Sequence, residues 1–416
     1  MPGTTKLLTP EEAWARIASS LEPRAARQVP RARAGGLALA ADLTATVDMP
    51  PADVSAMDGY AAAGAPPVGA PLPVAGTAAA GRPAGFELAS GEVCKIMTGA
   101  MVPAGADRVI PVEKSDGGKR GDDSVVFTEI EPAGAHIRRH GEVTRRGQPV
   151  LAAGAPLTPA AISLAAAHGY GELPVLPPPT VAVLVTGDEV VPPESEPGPG
   201  QLRDSNSAFL LAAGRSLGLE PRFLGIAPDE AGELRALVGR GLESEVLLLS
   251  GGVSMGEFDL VEDVLAELGC ETLFDQVAIQ PGKPLVVARH GRGGNAGGWV
   301  FGLPGNPASV MVTFWLFVRP LLRRLMGFAD AFWHGALAAE LAAPLPAAKD
   351  RDRFLAAHVR FAGGRIVATP RLPRGSHDVA AYARGSALAR IRPGAPAASA
   401  GGRCEVLPLA NWMDEA

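Results

Sequence analysis

Short β-branched segments alternate with helical segments over residues 181–326, and this alternation constrains the fold more than any other feature of the sequence. Strands that are joined through helices in this order pair in parallel, so the pattern predicts a doubly wound parallel sheet with helices on both faces. The predicted strands are residues 181–185, 222–227, 246–249 and 299–301. The predicted helices are residues 205–217, 228–238, 259–268 and 307–326.

The sequence on either side of this region has a different character. Thr9-Pro10-Glu11-Glu12 combines a cap, a proline and a carboxylate in the spacing that opens a helix. Short apolar pieces between glycines and prolines indicate a β-rich module, Pro177-Pro178-Pro179 is a stiff linker, and short strands return in the C-terminal region.

We therefore expect an α/β multi-domain protein. The predicted parts are an elongated N-terminal helical and linker domain that is discontinuous (1–45 and 140–176), a β-rich inserted module (46–139), the parallel-sheet α/β domain (177–328) and a C-terminal β-barrel-like domain (338–416). A chain of 416 residues is too long for one hydrophobic core, which agrees with this division.

Composition excludes several classes of protein. The net charge is -6 and the 38 basic residues are dispersed, which argues against nucleic-acid binding. Cys94, Cys270 and Cys404 lie far apart, so we expect neither a disulfide framework nor a cysteine zinc site, but reduced thiols in a cytoplasmic protein. The longest apolar run, residues 310–318, is too short to span a membrane, and from the polar, acidic N-terminal residues we expect no export signal.

Ligands of open α/β sheets bind beyond the carboxyl ends of the strands, where four loops are expected to converge. Their glycines allow backbone N–H groups to approach an anion, while their carboxylates would repel that anion unless a cation such as Mg²⁺ lay between them. The pattern therefore favours a metal-bridged phosphate. The loops are Thr186-Gly187-Asp188-Glu189, Pro228-Asp229, residues 250–259 and residues 302–307.

Each residue of this set also has an ordinary structural interpretation. Gly251-Gly252 is typical of a turn, Asp229 of a helix N-cap, and Asp188 or Glu189 of an acidic surface turn. Their combination on one edge of the sheet favours the ligand site.

Other segments carry weaker signals. Lys283 is one of only six lysines in the chain, and a mobile ammonium suits an oxyanion contact. Asp58 precedes Gly59 and Thr98 precedes Gly99, patterns that alone are typical of turns. His377 lies in no nucleophile motif, so a hydrolase triad is not expected.

Taken together in chain order, the motifs resemble the bacterial MoeA family of molybdopterin molybdotransferases, which is related to the E domain of gephyrin and its plant counterpart. The resemblance extends over nearly the whole chain. The motifs that carry it are residues 55–61, 97–107, 186–189, 204–206, 251–259, 281–284 and 303–307.

The resemblance implies an L-shaped homodimer in which each site joins the molybdopterin-binding α/β domain of one subunit to the β-rich module of the other. It implies that molybdate is inserted into adenylyl-molybdopterin with release of AMP and with Mg²⁺ as cofactor. Implied partners are a molybdopterin adenylyltransferase and acceptor molybdoenzymes.

Carried over by position, the residues implied in catalysis are Asp58, Thr98, Glu189, Asp229, Asp259 and Lys283. The implied metal ligands are Glu189, Asp229 and Asp259. The implied binding residues are Thr186, Gly187, Asp188, Ser205, Gly251, Gly252, Ser254, Gly256, Pro304, Asn306 and Ser376.

The chain departs from the family pattern at three positions. Val143 stands where Asp is common, Gln280 where Lys is common, and Ala356 where Arg is usual. These losses of charge keep open the alternative of a catalytically weak paralogue that binds molybdenum cofactor and delivers it to one molybdoenzyme. A separate alternative is an unrelated metal-dependent phosphohydrolase that uses the same edge of the sheet. The sequence does not distinguish molybdate from tungstate.

Overall fold

The structure is a computed structural model that describes residues 7–117, 123–252, 260–291 and 297–409. The helices in these residues are α1 (Pro10–Ser19), α2 (Pro159–Ala167), α3 (Asn206–Ser216), α4 (Ala231–Gly241), α5 (Leu260–Glu267), α6 (Pro307–Thr313), α7 (Arg319–Leu325) and α8 (Val379–Ala383). A π-helical turn, Phe314–Val318, joins α6 to α7. None of these helices combines the length and the apolar character needed to cross a membrane.

The strands fall into three groups along the chain. The first group is β1 (Arg27–Pro30), β2 (Leu43–Thr44), β3 (Val54–Ser55), β4 (Gly59–Ala62), β5 (Pro71–Ala78), β6 (Val93–Ile96), β7 (Arg108–Pro111), β8 (Ser124–Val126), β9 (Ile137–Arg138), β10 (Pro149–Leu151) and β11 (Glu172–Val175). The second group is β12 (Val181–Thr186), β13 (Val190–Val191), β14 (Leu202–Arg203), β15 (Arg222–Ala227), β16 (Val246–Ser250), β17 (Glu271–Gln276), β18 (Ile279–Gln280), β19 (Pro284–His290) and β20 (Gly298–Leu303). The last group is β21 (Leu337–Leu341), β22 (Asp352–Ala362), β23 (Arg365–Pro370), β24 (Ala387–Ile391) and β25 (Arg403–Pro408).

The N-terminal helix begins where the sequence predicts. The Thr9 side chain accepts from the Glu12 backbone N–H, and the Glu12 side chain accepts from the Thr9 N–H, so two otherwise unpaired donors are satisfied. Trp14 and Ile17 then pack into the core of the α/β part. Around α2, the pairs β1–β11 and β2–β10 form a small separate core.

The β-rich module is built on a five-stranded sheet with the order β7-β4-β6-β5-β8. Gly59 in β4 pairs with Ile96 in β6 and with Pro111 in β7. A Cβ at residue 59 would lie 2.0 Å from the Ile110 carbonyl oxygen, so only glycine fits there. This register brings the residue before β4, Asp58, next to the loop after β6, which contains Thr98.

The α/β part is a six-stranded mixed sheet with the order β15-β12-β16-β20-β19-β17. The first four strands are parallel, as predicted, whereas β19 and β17 are antiparallel additions that the alternation pattern did not predict. Alternate residues of the parallel strands enter two cores, because helices cover both faces: Val183 faces α3 and α6, and Leu184 faces α4 and α5.

The C-terminal strands close into a barrel, as expected. They pair in the order β22-β23-β21-β25-β24, and β24 pairs back with β22. The short strand β18, which lies in the chain between β17 and β19, adds to this barrel by pairing with β22. Strand β18 therefore belongs to the α/β part by its place in the chain and to the C-terminal barrel by its pairing.

Candidate functional site

Four loops meet beyond the carboxyl ends of β12, β15, β16 and β20, as the strand order predicts, and line a cavity of about 620 Å³ that we call the rim cavity. The lining residues that the sequence motifs predicted are Thr186, Gly187, Glu189, Ser205, Asp229, Gly251, Gly252 and Asn306.

Two glycines are required where the loop after β16 touches β12. A Cβ at Gly251 would lie 2.5 Å from the Thr186 carbonyl oxygen, and one at Gly252 would lie 2.8 Å from a Val261 methyl. Both glycines also have positive φ, at 101° and 62°. The backbone can therefore approach a ligand closely here, which other residue types would prevent.

Two buried oxygen atoms at the rim cavity have no hydrogen-bond partner in the described part of the chain: Thr186 Oγ1 and Asn206 Oδ1. The Asn206 amide is held in place, because its Nδ2 donates to Ser250 Oγ at 2.9 Å and to the Gly305 carbonyl at 2.7 Å. Buried polar atoms normally find partners, so these two atoms are available to a polar ligand of the rim cavity.

Two carboxylates, Glu189 and Asp229, line the rim cavity. Asp188 lies beside it and accepts a hydrogen bond from the Asp229 backbone N–H at 3.1 Å, which orders that loop. Asp229 is not a helix cap: Glu230 caps α4, accepting from the N–H groups of Gly232 and Glu233, so the N-cap interpretation is wrong.

The remaining predicted rim residues, Ser254, Gly256 and Asp259, lie outside the described residues. Within residues that are described, no three His, Cys, Asp or Glu side chains come together as a metal-binding group. The predicted ligand set of Glu189, Asp229 and Asp259 therefore stays a prediction.

A second cavity of about 340 Å³, which we call the oxyanion pocket, lies at the junction of β18, β22 and α6. It contains Lys283 and Ser376, which the family resemblance assigned to the same site as the rim residues. It also contains the guanidinium residues Arg351 and Arg353, which the sequence motifs did not indicate. The Ala308 backbone N–H donates to the Ser376 carbonyl at 3.0 Å, and the neighbouring His377 lines the rim cavity, so the two cavities adjoin.

Buried interactions hold the strand that carries these arginines. Asp352, between them, accepts from Arg390 Nε at 2.5 Å, and Arg390 also donates to Glu11 at 2.6 Å. Tyr382 donates its hydroxyl proton to the Phe354 carbonyl at 3.1 Å, and burial raises the pKa of this phenol. The two arginines of the pocket thus lie at the fixed start of β22.

Asp58 and Thr98 line neither cavity. The Thr98 backbone N–H and hydroxyl both donate to Asp58 Oδ1, at 2.6 and 2.9 Å, and these bonds hold the pKa of the carboxyl below its usual range. Both side chains are exposed on the β-rich module. Exposed methionines flank the pair, Met57 at 38% and Met97 at 45% relative exposure.

The structure places the three departures from the family pattern in different surroundings. Gln280 lies in the oxyanion pocket, where a lysine would add a fourth cation to Lys283, Arg351 and Arg353. Ala356 is fully buried with Phe354 and Tyr382, so an arginine side chain at this position would have to extend out of the core before it could reach the pocket. Val143 is 65% exposed.

Asn206 lines the rim cavity but was not among the predicted site residues, although it lies in the motif Asp204-Ser205-Asn206. Asp204 is buried and accepts from Ser207, while the Ser205 side chain makes no capping hydrogen bond with α3. Pro304, by contrast, was predicted to bind ligand but is buried behind the rim, where its carbonyl accepts from Ser250 Oγ.

Three family profiles match the chain in succession. Residues 8–169 match the MoeA N-terminal region (domain I and II), residues 182–324 a probable molybdopterin binding domain, and residues 338–409 the MoeA C-terminal region (domain IV).

Individual relatives agree with these profiles. The chain is 37% identical over 395 residues to molybdopterin molybdenumtransferase 2 of Mycobacterium tuberculosis, covering 92% of this chain and 94% of that protein. It is 43% identical over 314 residues to the molybdopterin molybdenumtransferase of Synechococcus elongatus, covering 72% and 75%. The crystal structure of a molybdopterin biosynthesis MoeA protein from Pyrococcus horikosii superimposes with a TM-score of 0.79 at 32% identity, covering 98% of this chain and all of that one.

Proposed function

This chain belongs to the MoeA family of molybdopterin molybdenumtransferases, and from that membership we propose that its rim cavity and oxyanion pocket hold the two substrates of one transfer reaction. The protein is a transferase of molybdenum cofactor biosynthesis. In the proposed reaction, adenylyl-molybdopterin and molybdate give molybdenum cofactor and AMP. The proposal depends on one observation: the rim cavity, which is lined by glycines and carboxylates, lies next to the oxyanion pocket, which is lined by cations.

The rim cavity suits the diphosphate of the adenylylated substrate. Gly251 and Gly252 allow close approach of the backbone, and the α3 N-terminus adds its positive dipole beside Ser205. Thr186 Oγ1 can donate to a phosphate oxygen, which would satisfy the unpartnered hydroxyl.

The donor set of the rim cavity also fits Mg²⁺. This cation is usually bound by one or two carboxylates together with substrate phosphates, and Glu189 and Asp229 supply two carboxylates beside the unpartnered Asn206 Oδ1. We propose Glu189, Asp229 and Asp259 as the ligands of Mg²⁺. Bound there, Mg²⁺ would neutralise the charge of the diphosphate and polarise its phosphorus.

The oxyanion pocket suits molybdate. Lys283, Arg351 and Arg353 supply positive charge, and the Ser376 and Gln280 side chains supply neutral hydrogen-bond donors. Ser376 lines the oxyanion pocket and the next residue, His377, lines the rim cavity. Molybdate in the oxyanion pocket would therefore lie beside the substrate in the rim cavity. The chain's own contribution is thus to bind and orient both reactants.

We further propose that the protein acts as a cytoplasmic homodimer. The Asp58–Thr98 pair is preorganised and exposed but lines neither cavity of its own chain, as expected if it completes the site of a second subunit. A molybdopterin adenylyltransferase would supply the substrate and acceptor molybdoenzymes would receive the product.

The direct test supplies the purified protein with adenylyl-molybdopterin, molybdate and Mg²⁺ and measures AMP release and the reconstitution of a cofactor-free molybdoenzyme. Glu189→Gln and Asp229→Asn should each lower AMP release by about 10²-fold or more, because the charged phosphoryl group loses its stabilisation. Glu196→Gln, an exposed carboxylate outside the cavity, is the matched control. Reconstitution without any AMP release would overturn the transfer reaction and leave a carrier of finished cofactor.

A further inference from the structure

Arg390 on β24 carries a buried guanidinium that lines neither the rim cavity nor the oxyanion pocket. Its side chain is only 3% exposed. Its Nε donates to Asp352 Oδ1 at 2.5 Å, and its Nη2 donates to Glu11 Oε1 at 2.6 Å. One cation therefore joins two carboxylates from distant parts of the chain, one on the first helix and one on the barrel.

Stability alone does not account for the buried pair of Arg390 and Asp352. Moving a guanidinium and a carboxylate out of water carries a desolvation cost that their attraction offsets only when the geometry is excellent. Apolar residues of similar volume often make a core as stable or more so. The pair is better explained by the geometry that it imposes on the strand that carries Asp352.

The pair lies on the face of β22 opposite the oxyanion pocket. Successive residues of a strand point to opposite faces. Arg351, which directly precedes β22, lines the oxyanion pocket together with Arg353 and Leu355. Phe354 instead belongs to the core of the α/β part, and Asp352 shares its face by alternation. Asp352 thus lies behind the segment whose other face carries the two pocket arginines.

Neighbouring strands hold the start of β22 on both sides. The Asp352 N–H donates to the Ala278 carbonyl at 3.0 Å, and Asp352 pairs with Ile279 of β18. On the other side of β22, Phe354 pairs with Arg390 of β24. The Arg390 side chain therefore reaches along the shared face to a carboxylate two residues from its own partner, and this contact fixes the start of β22 from behind.

Aromatic rings keep the Arg390 guanidinium in place. Its central carbon lies 5.0 Å from the ring centroid of Phe332, 5.8 Å from that of Trp333 and 5.9 Å from that of Phe354. A guanidinium is planar, is attracted to aromatic faces and carries five donors in a rigid arrangement, so it can bond two carboxylates while it lies among rings. A lysine ammonium cannot reproduce this combination.

Resting on the proposed function, we propose that Arg390 is a positioning residue of the oxyanion pocket. Arg390 holds Asp352 behind β22, and this contact directs Arg351 and Arg353 toward the bound oxyanion. Glu11 supports Arg390 from α1. The N-terminal helix thereby contributes to the affinity for molybdate, although Glu11 does not line the pocket.

The test uses two substitutions of different severity. Glu11→Gln removes one charge from a side chain that is 51% exposed and leaves the Arg390–Asp352 bond in place. Arg390→Lys keeps the positive charge but removes the planar set of donors. The matched control is Glu405→Gln, which removes a carboxylate from the surface pair with Arg392 on the same barrel. Thermal melting first establishes that each variant is folded.

Molybdate binding to the whole protein is measured by isothermal titration calorimetry, and kcat and the half-saturating molybdate concentration are measured through AMP release. We expect Arg390→Lys to weaken molybdate binding about 10-fold and Glu11→Gln about threefold, because misdirected guanidinium groups lose charge-assisted hydrogen bonds to the oxyanion. The kcat at saturating molybdate and the KM for the adenylylated substrate should stay within about twofold. Glu405→Gln should change none of these values.

A purely structural role predicts the opposite division. Fewer molecules would be active, so kcat would fall while the half-saturating molybdate concentration stayed the same. That result, or molybdate binding that neither folded variant changes, would overturn the positioning role. If Arg390→Lys does not fold, Glu11→Gln decides the question alone.

Calorimetry separates this inference from the proposed function. If the unaltered protein binds molybdate but releases no AMP, and Arg390→Lys binds molybdate more weakly, the positioning role stands and the proposed reaction is wrong. If the unaltered protein releases AMP and neither variant changes the half-saturating molybdate concentration, the positioning role is wrong while the transfer reaction stands.

Discussion

Thr98 donates two hydrogen bonds to one carboxylate oxygen of Asp58, from its backbone nitrogen at 2.6 Å and from its hydroxyl at 2.9 Å. The backbone bond has the larger effect in lowering the pKa of the carboxyl below its usual range. Because the folded pKa lies below the unfolded one, the ionised carboxylate stabilises this loop above the ordinary pKa. That stabilisation is lost as the pH falls through the folded pKa.

Thr98→Val should therefore raise the pKa of Asp58 only in part. The hydroxyl bond is removed, but the backbone N–H of residue 98 remains, so the pKa should stay below that of an ordinary aspartate. A carboxyl ¹³C NMR titration measures this value. An Asp58 pKa that does not move would show that the hydroxyl bond is absent in solution.

Gly251→Ala should destabilise the α/β part more than Gly218→Ala. Both glycines have positive φ, which costs an alanine about 1–2 kcal/mol. Only at residue 251 would the new Cβ collide with the backbone, 2.5 Å from the Thr186 carbonyl oxygen, whereas at residue 218 it meets nothing within 4 Å. We expect the free energy of unfolding in urea to fall by a further 1–3 kcal/mol or so for Gly251→Ala. Equal losses would contradict the close approach.

Lys283→Gln should raise the molybdate concentration that gives half-maximal AMP release. A charge-assisted hydrogen bond is worth about 1.5–3 kcal/mol, which corresponds to roughly 10- to 150-fold. The control is Lys349→Gln, an exposed lysine outside the oxyanion pocket, which should leave the value unchanged. The same shift in both variants would indicate a general charge effect instead of a pocket contact.

Gln280→Lys should change the same quantity in the opposite direction. The substitution adds a cation to a pocket that already contains Lys283, Arg351 and Arg353, so the half-saturating molybdate concentration should fall. Sulfate, added as a competing tetrahedral anion, should also inhibit this variant more strongly. Weaker molybdate binding would show that the three existing cations already repel a fourth.

Asp352→Ala should be strongly destabilising. Its side chain and that of Arg390 are only 5% and 3% exposed, and losing one partner of such a buried pair costs about 3–5 kcal/mol, because Arg390 would then keep only the half-exposed carboxylate of Glu11 as an ionic partner. Glu405→Ala breaks the Arg392–Glu405 pair on the barrel surface, where both side chains are about half exposed, and should cost about 1 kcal/mol or less. Denaturant unfolding of the two variants tests the difference, and similar losses would contradict it.

The parallel strands and their helices were predictable because local periodicity encodes them. Strands β12 and β16 are buried along their whole length and read as continuous apolar runs between glycine-containing loops. Strand β17 has only one buried residue, Phe274, and no helix separates it from β19, so neither the alternation rule nor apolar content identified it.

The two cavities of the candidate site differ in the same way in how far the sequence predicted them. The rim residues follow parallel strands directly, and their convergence is a consequence of strand order. The grouping of Lys283 with Arg353 depends instead on the pairing of Gln280 with Arg353 between β18 and β22, a contact between distant parts of the chain. The spacing of Arg351 and Arg353, two residues apart at the start of β22, was the available signal for a shared face.

Because β18 pairs with β22, both the α/β part and the C-terminal barrel contribute residues to the oxyanion pocket. The α/β part produced without the barrel would retain the four loops at the strand ends. Its oxyanion pocket would be incomplete, because Lys283 would remain while Arg351 and Arg353 would be missing. Replacing either the α/β part or the barrel by a foreign counterpart would therefore remove one side of the oxyanion pocket.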